Sequence, residues 1–385
     1  MHTGKLISLI LLFALIDNDI IAQPAKPATN HNLTTEFNIQ YGLLMSHHLE
    51  LDVFRSHFPA FEISLQKTTF GKYRWEAEYA YPIIGINLWY SGLGGRSEIG
   101  SAFAVYPTIN FPLISDNKLS LNFKLGIGLG YLTNRFHRID NYKNFAIGSH
   151  LNIAASLFFE FRRRVSKMLT MTAGMGLTHF SNGSMKTPNY GLNILTASIG
   201  VTSYLNNPNS SLDRKILPEL YSFEFDGRKY LSLEFATALA FKDMSGEYGK
   251  SFYVLGAFAN IMAQVSYKSK FGFGLDLTHD GSDKILLERR YVTVTNNLQL
   301  TKIGVNIAYE LVMDRLSFLF NVGFYVSGLE RSESDIYQRL TLKYFITKNL
   351  FANMALSAHL GRAEYVGFGL GYRVNFIYKR KIKHN

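Results

Sequence analysis

From about residue 36 onward, apolar and polar residues alternate with a period of two, the mark of strands whose two faces meet different surroundings. The clearest segment sets Leu119, Leu121, Phe123, Leu125, Ile127, Leu129 and Tyr131 on one face, with Ser120, Asn122, Lys124, Gly126, Gly128 and Gly130 on the other. Near residue 320 the pattern recurs, with Leu316, Phe318, Phe320, Val322 and Phe324 against Ser317, Asn321 and Gly323. The last segment carries Val366, Phe368, Leu370, Tyr372, Val374, Phe376 and Tyr378 opposite Gly367, Gly369, Gly371, Arg373 and Asn375. In all, the pattern predicts strands near 36–46, 60–68, 83–91, 98–111, 119–133, 147–163, 168–181 and 191–205. A second series follows near 229–241, 250–266, 268–279, 296–311, 315–326, 337–347, 349–361 and 363–378. A lysine on the non-oily face, Lys124, points to a polar interior.

Most segments are long enough to cross a bilayer at a tilt, and no run of about 18 apolar residues follows the N-terminus. Open strands in lipid would leave backbone groups unpaired, so the sheet must close. The expected fold is all-β: a transmembrane antiparallel β-barrel of about 16 strands in two eight-strand halves, either one wide barrel or two tandem barrels. The shared composition of the two series favours one wide barrel. The polar stretch 206–228, with Pro208 and Pro218, marks a division. The expected organisation is a leader at 1–22, a first half at 23–205, the connection at 206–228 and a second half at 229–385.

Composition adds an address. Lys5 precedes the apolar run Leu6 to Ile16, and Ala22 is a small residue before Gln23, which reads as a secretory signal peptide. The 385 residues contain 14% aromatic and only 18% charged side chains, and no cysteine, so disulfides and thiolate metal sites are excluded. The net charge of +11 comes with no nucleic-acid-binding motif. Loop cations such as Arg135, Arg138 and Lys143, and the terminal run Lys379-Arg380-Lys381, suit acidic lipid headgroups or simple solvation.

Candidate chemistry lies on the segment 168–181. Its odd positions are Leu169, Met171, Ala173, Met175 and Leu177, then His179 and Ser181. A base and a hydroxyl nucleophile thus continue an oily face, which suits an enzyme working at a lipid boundary. On the next strand Leu195, Ala197, Ile199 and Val201 are oily, so Asn193 shares that face. A serine hydroxyl needs a neighbouring imidazole to take its proton, and a third group to orient the ring. Backbone N–H groups of Asn182 and Gly183 and the side-chain amide of Asn189 are candidate donors to an oxyanion.

The run HFSNGSMKTPNYGLN, His179 to Asn193, resembles the signature of the lipid A 3-O-deacylase (PagL-type) family, outer-membrane barrels that remove an ester-linked acyl chain from lipid A. The whole chain is similar to the longer bacterial acyloxyacyl hydrolases, through GIGLGYLTNRF, NYKNFAIGSHLN and AHLGRAEYVGFGLGYRV. The resemblance implies a triad of histidine, a serine two residues later and a glutamate twelve residues after that. The first two fall on His179 and Ser181; the third falls on Asn193, a departure. It also implies a bacterial outer-membrane location, lipopolysaccharide as the partner and a hydrolase without cofactor. The alternatives are a non-enzymatic pore or transporter, a degenerate lipid-binding barrel, or a loop-displaying structural barrel.

Other polar groups invite blander readings. His150 is expected on the interior face with Asn152 and Glu160, as part of a structural network, and His359 to point inward without a following serine. His47 and His48 read as loop polar groups. The run Asp276, His279, Asp280, Ser282, Asp283 offers oxygen ligands for calcium, although polar loops look the same without metal.

Overall fold

The computed structural model describes residues 32–205 and 228–379, except positions 47, 72, 117, 245–249, 332–333 and 361. The expected leader at 1–22, nearly all of the connection at 206–228, His47 and the basic tail from residue 380 lie outside the described residues. Among the described residues, alternation becomes sixteen antiparallel strands. The first eight are β1 (Leu33–Met45), β2 (His57–Thr68), β3 (Ile83–Ser91), β4 (Ala102–Ser115), β5 (Leu119–Leu132), β6 (Leu151–Arg164), β7 (Leu169–Ser181) and β8 (Leu192–Tyr204). The second eight are β9 (Arg228–Asp243), β10 (Ser251–Gln264), β11 (Ser269–Asp280), β12 (Thr301–Met313), β13 (Leu316–Ser327), β14 (Ile336–Phe345), β15 (Leu350–His359) and β16 (Arg362–Lys379).

The favoured single wide barrel is corrected: the chain forms two closed barrels of eight strands each. β8 returns to β1, from Thr34 opposite Tyr204 to Met45 opposite Asn193. β16 returns to β9, from Phe368 opposite Leu239 to Lys379 opposite Arg228. Each half therefore satisfies both of its own sheet edges, and neither needs a strand of the other. Smaller differences have local causes. β12 begins at Thr301 rather than near 296, because Asn296 caps a 3-10 turn over Asn297–Leu300 in a capping box with Gln299. Among the described residues, two α-helices lie in connections, α1 (Arg74–Glu78) and α2 (Asp283–Arg289), each too short to show helical periodicity.

The two faces of every strand meet opposite environments. Outward residues such as Met175 (63% exposed), Ile199 (67%) and Phe273 (72%) form an apolar band suited to lipid. Inward residues are polar and charged, and fill the lumen, as the width of an eight-stranded barrel allows. In the first barrel Lys124 Nζ lies 2.8 Å from Glu62 Oε1 and 2.6 Å from Glu160 Oε1. Arg162 reaches Glu36 Oε2 at 2.7 Å, and the Thr202 hydroxyl donates to the same oxygen at 2.6 Å. In the second barrel Lys343 bridges Glu234 and Glu310 at 2.5 and 3.1 Å, and Arg373 joins both at 2.6 and 2.7 Å. Removing one member of such a cluster strands its partners. Lys124→Met is expected to destabilise the first barrel by about 3–5 kcal/mol, measured as a lower denaturant midpoint in detergent.

Towards one rim, the interior of the first barrel turns apolar, with Leu44, Phe58, Trp89, Tyr106, Phe180, Leu192 and Ile194 buried together. The barrels touch at both rims. At the rim where β1 begins, the Tyr79 hydroxyl donates to Val312 O at 3.1 Å and Arg74 stacks over the ring of Tyr267. At the opposite rim, the Asp243 N–H donates to Ser184 O at 2.8 Å, and the Ser184 hydroxyl donates to Ala363 O at 3.3 Å.

Candidate active site

β7 and β8 build the candidate site from their parity. Phe180, Leu192 and Ile194 are fully or almost fully buried in the apolar plug, and Phe180 packs 5.6 Å from Trp89 between ring centroids. Anchoring those side chains inward turns His179, Ser181 and Asn193 outward, where they are half-buried. His179 and Asn193 stand directly opposite each other in the β7–β8 ladder, so their side chains meet by register alone.

The His179 Nδ1–H donates to Asn193 Oδ1 at 2.5 Å. A proton fixed on Nδ1 leaves Nε2 as the basic nitrogen. Ser181 Oγ receives two donors, the Asn189 side-chain amide at 2.9 Å and the Gly183 N–H at 3.2 Å. Both already point at the atom beside which an oxyanion would form. The Asn182 N–H plays a different part from the one expected of it. It is taken by Asn189 Oδ1 at 3.0 Å, so Asn182 holds Asn189 in place instead of facing the substrate. The Asn182 side chain is buried and donates to Ser149 Oγ at 2.8 Å and to Lys186 O at 2.9 Å, tying the hairpin to the loop before β6.

Two glycines make the close approaches possible. Gly191 has φ +79°, and a Cβ there would sit 2.8 Å from His179 Cε1, so only hydrogen leaves room for the imidazole. Gly183 has φ +60°, and a Cβ there would collide with Val366 Cγ2 of the second barrel. Around these groups lies an open cavity of about 760 Å³, lined by His179, Ser181 and Asn193 together with apolar Phe136, Phe145 and Leu177. Leu360, Arg362 and Ala363 of the β15–β16 turn complete its wall. The arrangement suits attack on an ester whose acyl chain lies in an apolar groove open to lipid.

Residues 60–202 match the family model described as lipid A 3-O-deacylase (PagL), and residues 231–376 match the model described as the C-terminal domain of acyloxyacyl hydrolase. The chain belongs to the lipid A 3-O-deacylase family. Its architecture, closed antiparallel barrels with a lipid-facing band, is that of an outer-membrane protein, and the family is one of hydrolases. Among solved structures, this deacylase-family chain is similar to neisserial surface protein A at 8% identity and a TM-score of 0.33, over 45% of this chain and 96% of that one. It is similar to the outer membrane enzyme PagL at 13% identity and a TM-score of 0.29, over 44% of this chain and 99% of that one. A mutant of the Rhodopseudomonas blastica porin matches at 9% identity and a TM-score of 0.19, over 89% of this chain and 99% of that one. No curated protein matches the chain.

Within this deacylase-family fold, the remaining candidates resolve by their partners. His150 sits just ahead of β6 instead of inside the barrel. Its Nδ1 lies 2.8 Å from Leu132 O and its ring stacks on Tyr131, so its role is to pin the loop. His359 points inward, and its ring nitrogens lie 3.1 Å from Ile336 O and 3.1 Å from Glu364 Oε2. The carboxylates of the calcium candidate are matched by cations: Asp276 by Arg339 at 2.6 Å, Asp280 by Lys242, and Asp283 by Lys302 at 3.1 Å. Burial nevertheless pushes the Asp283 carboxyl up to about 7. His48 stacks on Tyr190 at 4.4 Å, on the wall of the site cavity. Ser149, Gly191 and the β15–β16 turn were not singled out as site residues from the sequence. They come to the site through loops and the second barrel, where strand parity says nothing.

Proposed function

We propose that the chain is a serine esterase that removes an ester-linked acyl chain from lipid A, the lipid anchor of lipopolysaccharide, in the outer leaflet of the outer membrane. The observation that supports this most is the gathering of His179, Ser181 and Asn193 on the lipid-facing side of one hairpin, around an apolar cavity. The lengths of the connections support this orientation. The rim of the site carries the connections 133–150 and 281–300, while the opposite rim, apart from 69–82 and the stretch between the barrels, has turns of two to four residues such as 116–118 and 314–315. Short turns face the periplasm in bacterial barrels, which supports a site at the outer surface.

In this reading Ser181 Oγ attacks the ester carbonyl carbon and passes its proton to His179 Nε2. Asn193 holds the ring so that Nε2 is the acceptor. The developing oxyanion takes hydrogen bonds from the Gly183 N–H and the Asn189 amide, which leave Ser181 Oγ as its charge moves to the carbonyl oxygen. Collapse breaks the carbon–oxygen bond, and the leaving alcohol of the sugar takes the proton from His179. Water, activated by the same imidazole, then releases the fatty acid and restores Ser181.

The direct test is mass spectrometry of lipid A from cells with and without the protein. Loss of one acyl chain in the presence of the protein is expected; identical lipid A in both would end the assignment. A finer test is Gly183→Ala, which adds a side chain at a left-handed backbone position already pressed against Val366. It is expected to lower kcat by about 10- to 100-fold, through displacement of one oxyanion donor. Steady-state release of fatty acid by the purified variant checks it.

A further inference from the structure

Resting on that reading, we propose that the second barrel positions the oxyanion donors of the first, with Val366 on β16 as the residue that holds the turn after the nucleophile. Strand parity supplies the first observation. Val366, Phe368, Leu370 and Tyr372 share the outward face of β16, where lipid is the expected covering. Phe368, Leu370 and Tyr372 are 58%, 55% and 51% exposed, yet Val366 is only 4% exposed. Its cover is protein. A Cβ on Gly183 would collide with Val366 Cγ2, so the turn that follows Ser181 is pressed against this side chain.

The backbone of that turn is the second observation. Gly183 and Ser184 are consecutive left-handed residues, with φ +60° and +64°. Glycine takes that conformation freely, whereas serine takes it against its own Cβ and needs outside partners. The second barrel supplies them. Ser184 O accepts from the Asp243 N–H at 2.8 Å, and the Ser184 hydroxyl donates to Ala363 O at 3.3 Å. A further tie runs from the Thr187 N–H to Asp243 Oδ2 at 3.5 Å.

Third, the braced segment carries both donors. Gly183 gives its N–H to Ser181 Oγ, and Asn189, whose amide gives the other hydrogen bond, is itself held by the Asn182 N–H. The Asn182 side chain also donates to Lys186 O, which makes this stretch one hydrogen-bonded unit. Contacts on Gly183, Ser184 and Thr187 therefore fix the angle at which the whole unit meets Ser181. Oxyanion donors work by being aimed before charge develops, so a small misplacement costs rate and not binding. Val366 stands outside the lining of the site cavity, which makes it a positioning residue with no contact to the substrate.

The test uses the full chain in detergent with lipid A as substrate. Val366→Ala is expected to lower kcat about tenfold with KM within about twofold of wild type. Val366→Thr keeps the branched shape of the contact and should restore most of the rate. Phe368→Ala, one outward position further along the strand and open to lipid, should leave kcat unchanged. Ser184→Ala removes the tie to Ala363 from the other side of the junction and should lower kcat about three- to tenfold. Hydrogen exchange of the segment 182–187, read by mass spectrometry, needs no turnover and should quicken about tenfold in Val366→Ala. Normal kcat in folded Val366→Ala and Ser184→Ala, or a loss of rate without faster exchange, overturns the proposal and leaves the esterase reading standing. A wild type that releases no fatty acid ends the esterase reading instead, and the exchange comparison then decides whether β16 braces the turn.

Discussion

Ser181→Ala is expected to lower fatty-acid release from lipid A by at least about 10³-fold while leaving both barrels folded. Loss of the nucleophile in a serine hydrolase removes the covalent route altogether, and what remains is the small effect of binding and oxyanion donors. The barrel should tolerate the change. Ser181 ends β7, is half-buried on the outer face and anchors no interior group, so the stability cost falls within the range of surface substitutions. The hydroxyl accepts from Asn189 and Gly183, and those donors can turn to water at the open cavity. Activity is read by mass spectrometry of released fatty acid, and folding by the heat-dependent gel mobility of the barrel. A folded variant within tenfold of wild-type activity would remove Ser181 from the role of nucleophile.

Substitution at Asn193 is expected to move the rate in both directions. The amide oxygen fixes the proton on His179 Nδ1 but carries no charge to balance the imidazolium that forms when Ser181 gives up its proton. Asn193→Glu introduces that charge within the same register position opposite His179, and should raise kcat by about tenfold or more with little change in KM. Asn193→Leu removes the acceptor, frees the ring to flip or change tautomer, and should lower kcat by about 10²- to 10³-fold. A kcat that ignores both substitutions would mean that Asn193 does not orient the base.

How much of this was readable in the residues depends on what imposes the pattern. Strands were legible because lipid and a charged lumen meet every strand from opposite sides, so Lys124 and Leu125 could not both lie on one face. Closure was not. Periodicity identifies a strand but not the edge it seeks, and the choice of β8 between β1 and β9 is made by hydrogen-bond register and by contacts such as Arg162 with Glu36. The same parity explains why the outward placement of His179, Ser181 and Asn193 was accessible. The inverted role of Asn182 was not, because its N–H turns to Asn189 only once the hairpin has curled. Arg362 was beyond reach for a simpler reason: it comes to the cavity across the junction of two barrels, through Ser184 and Ala363.

The interior charge clusters also bear on assembly. Arg162 on β6 finds its carboxylate on β1 and its hydroxyl partner on β8, and Arg373 on β16 finds acids on β9 and β12. A half-rolled sheet would carry these ions into the bilayer without their counterparts, at a cost that makes such intermediates sparse. Each ring of strands should therefore zip shut in one concerted event, and since the two ionic lattices share no member among the described residues, the chain completes two such events independently.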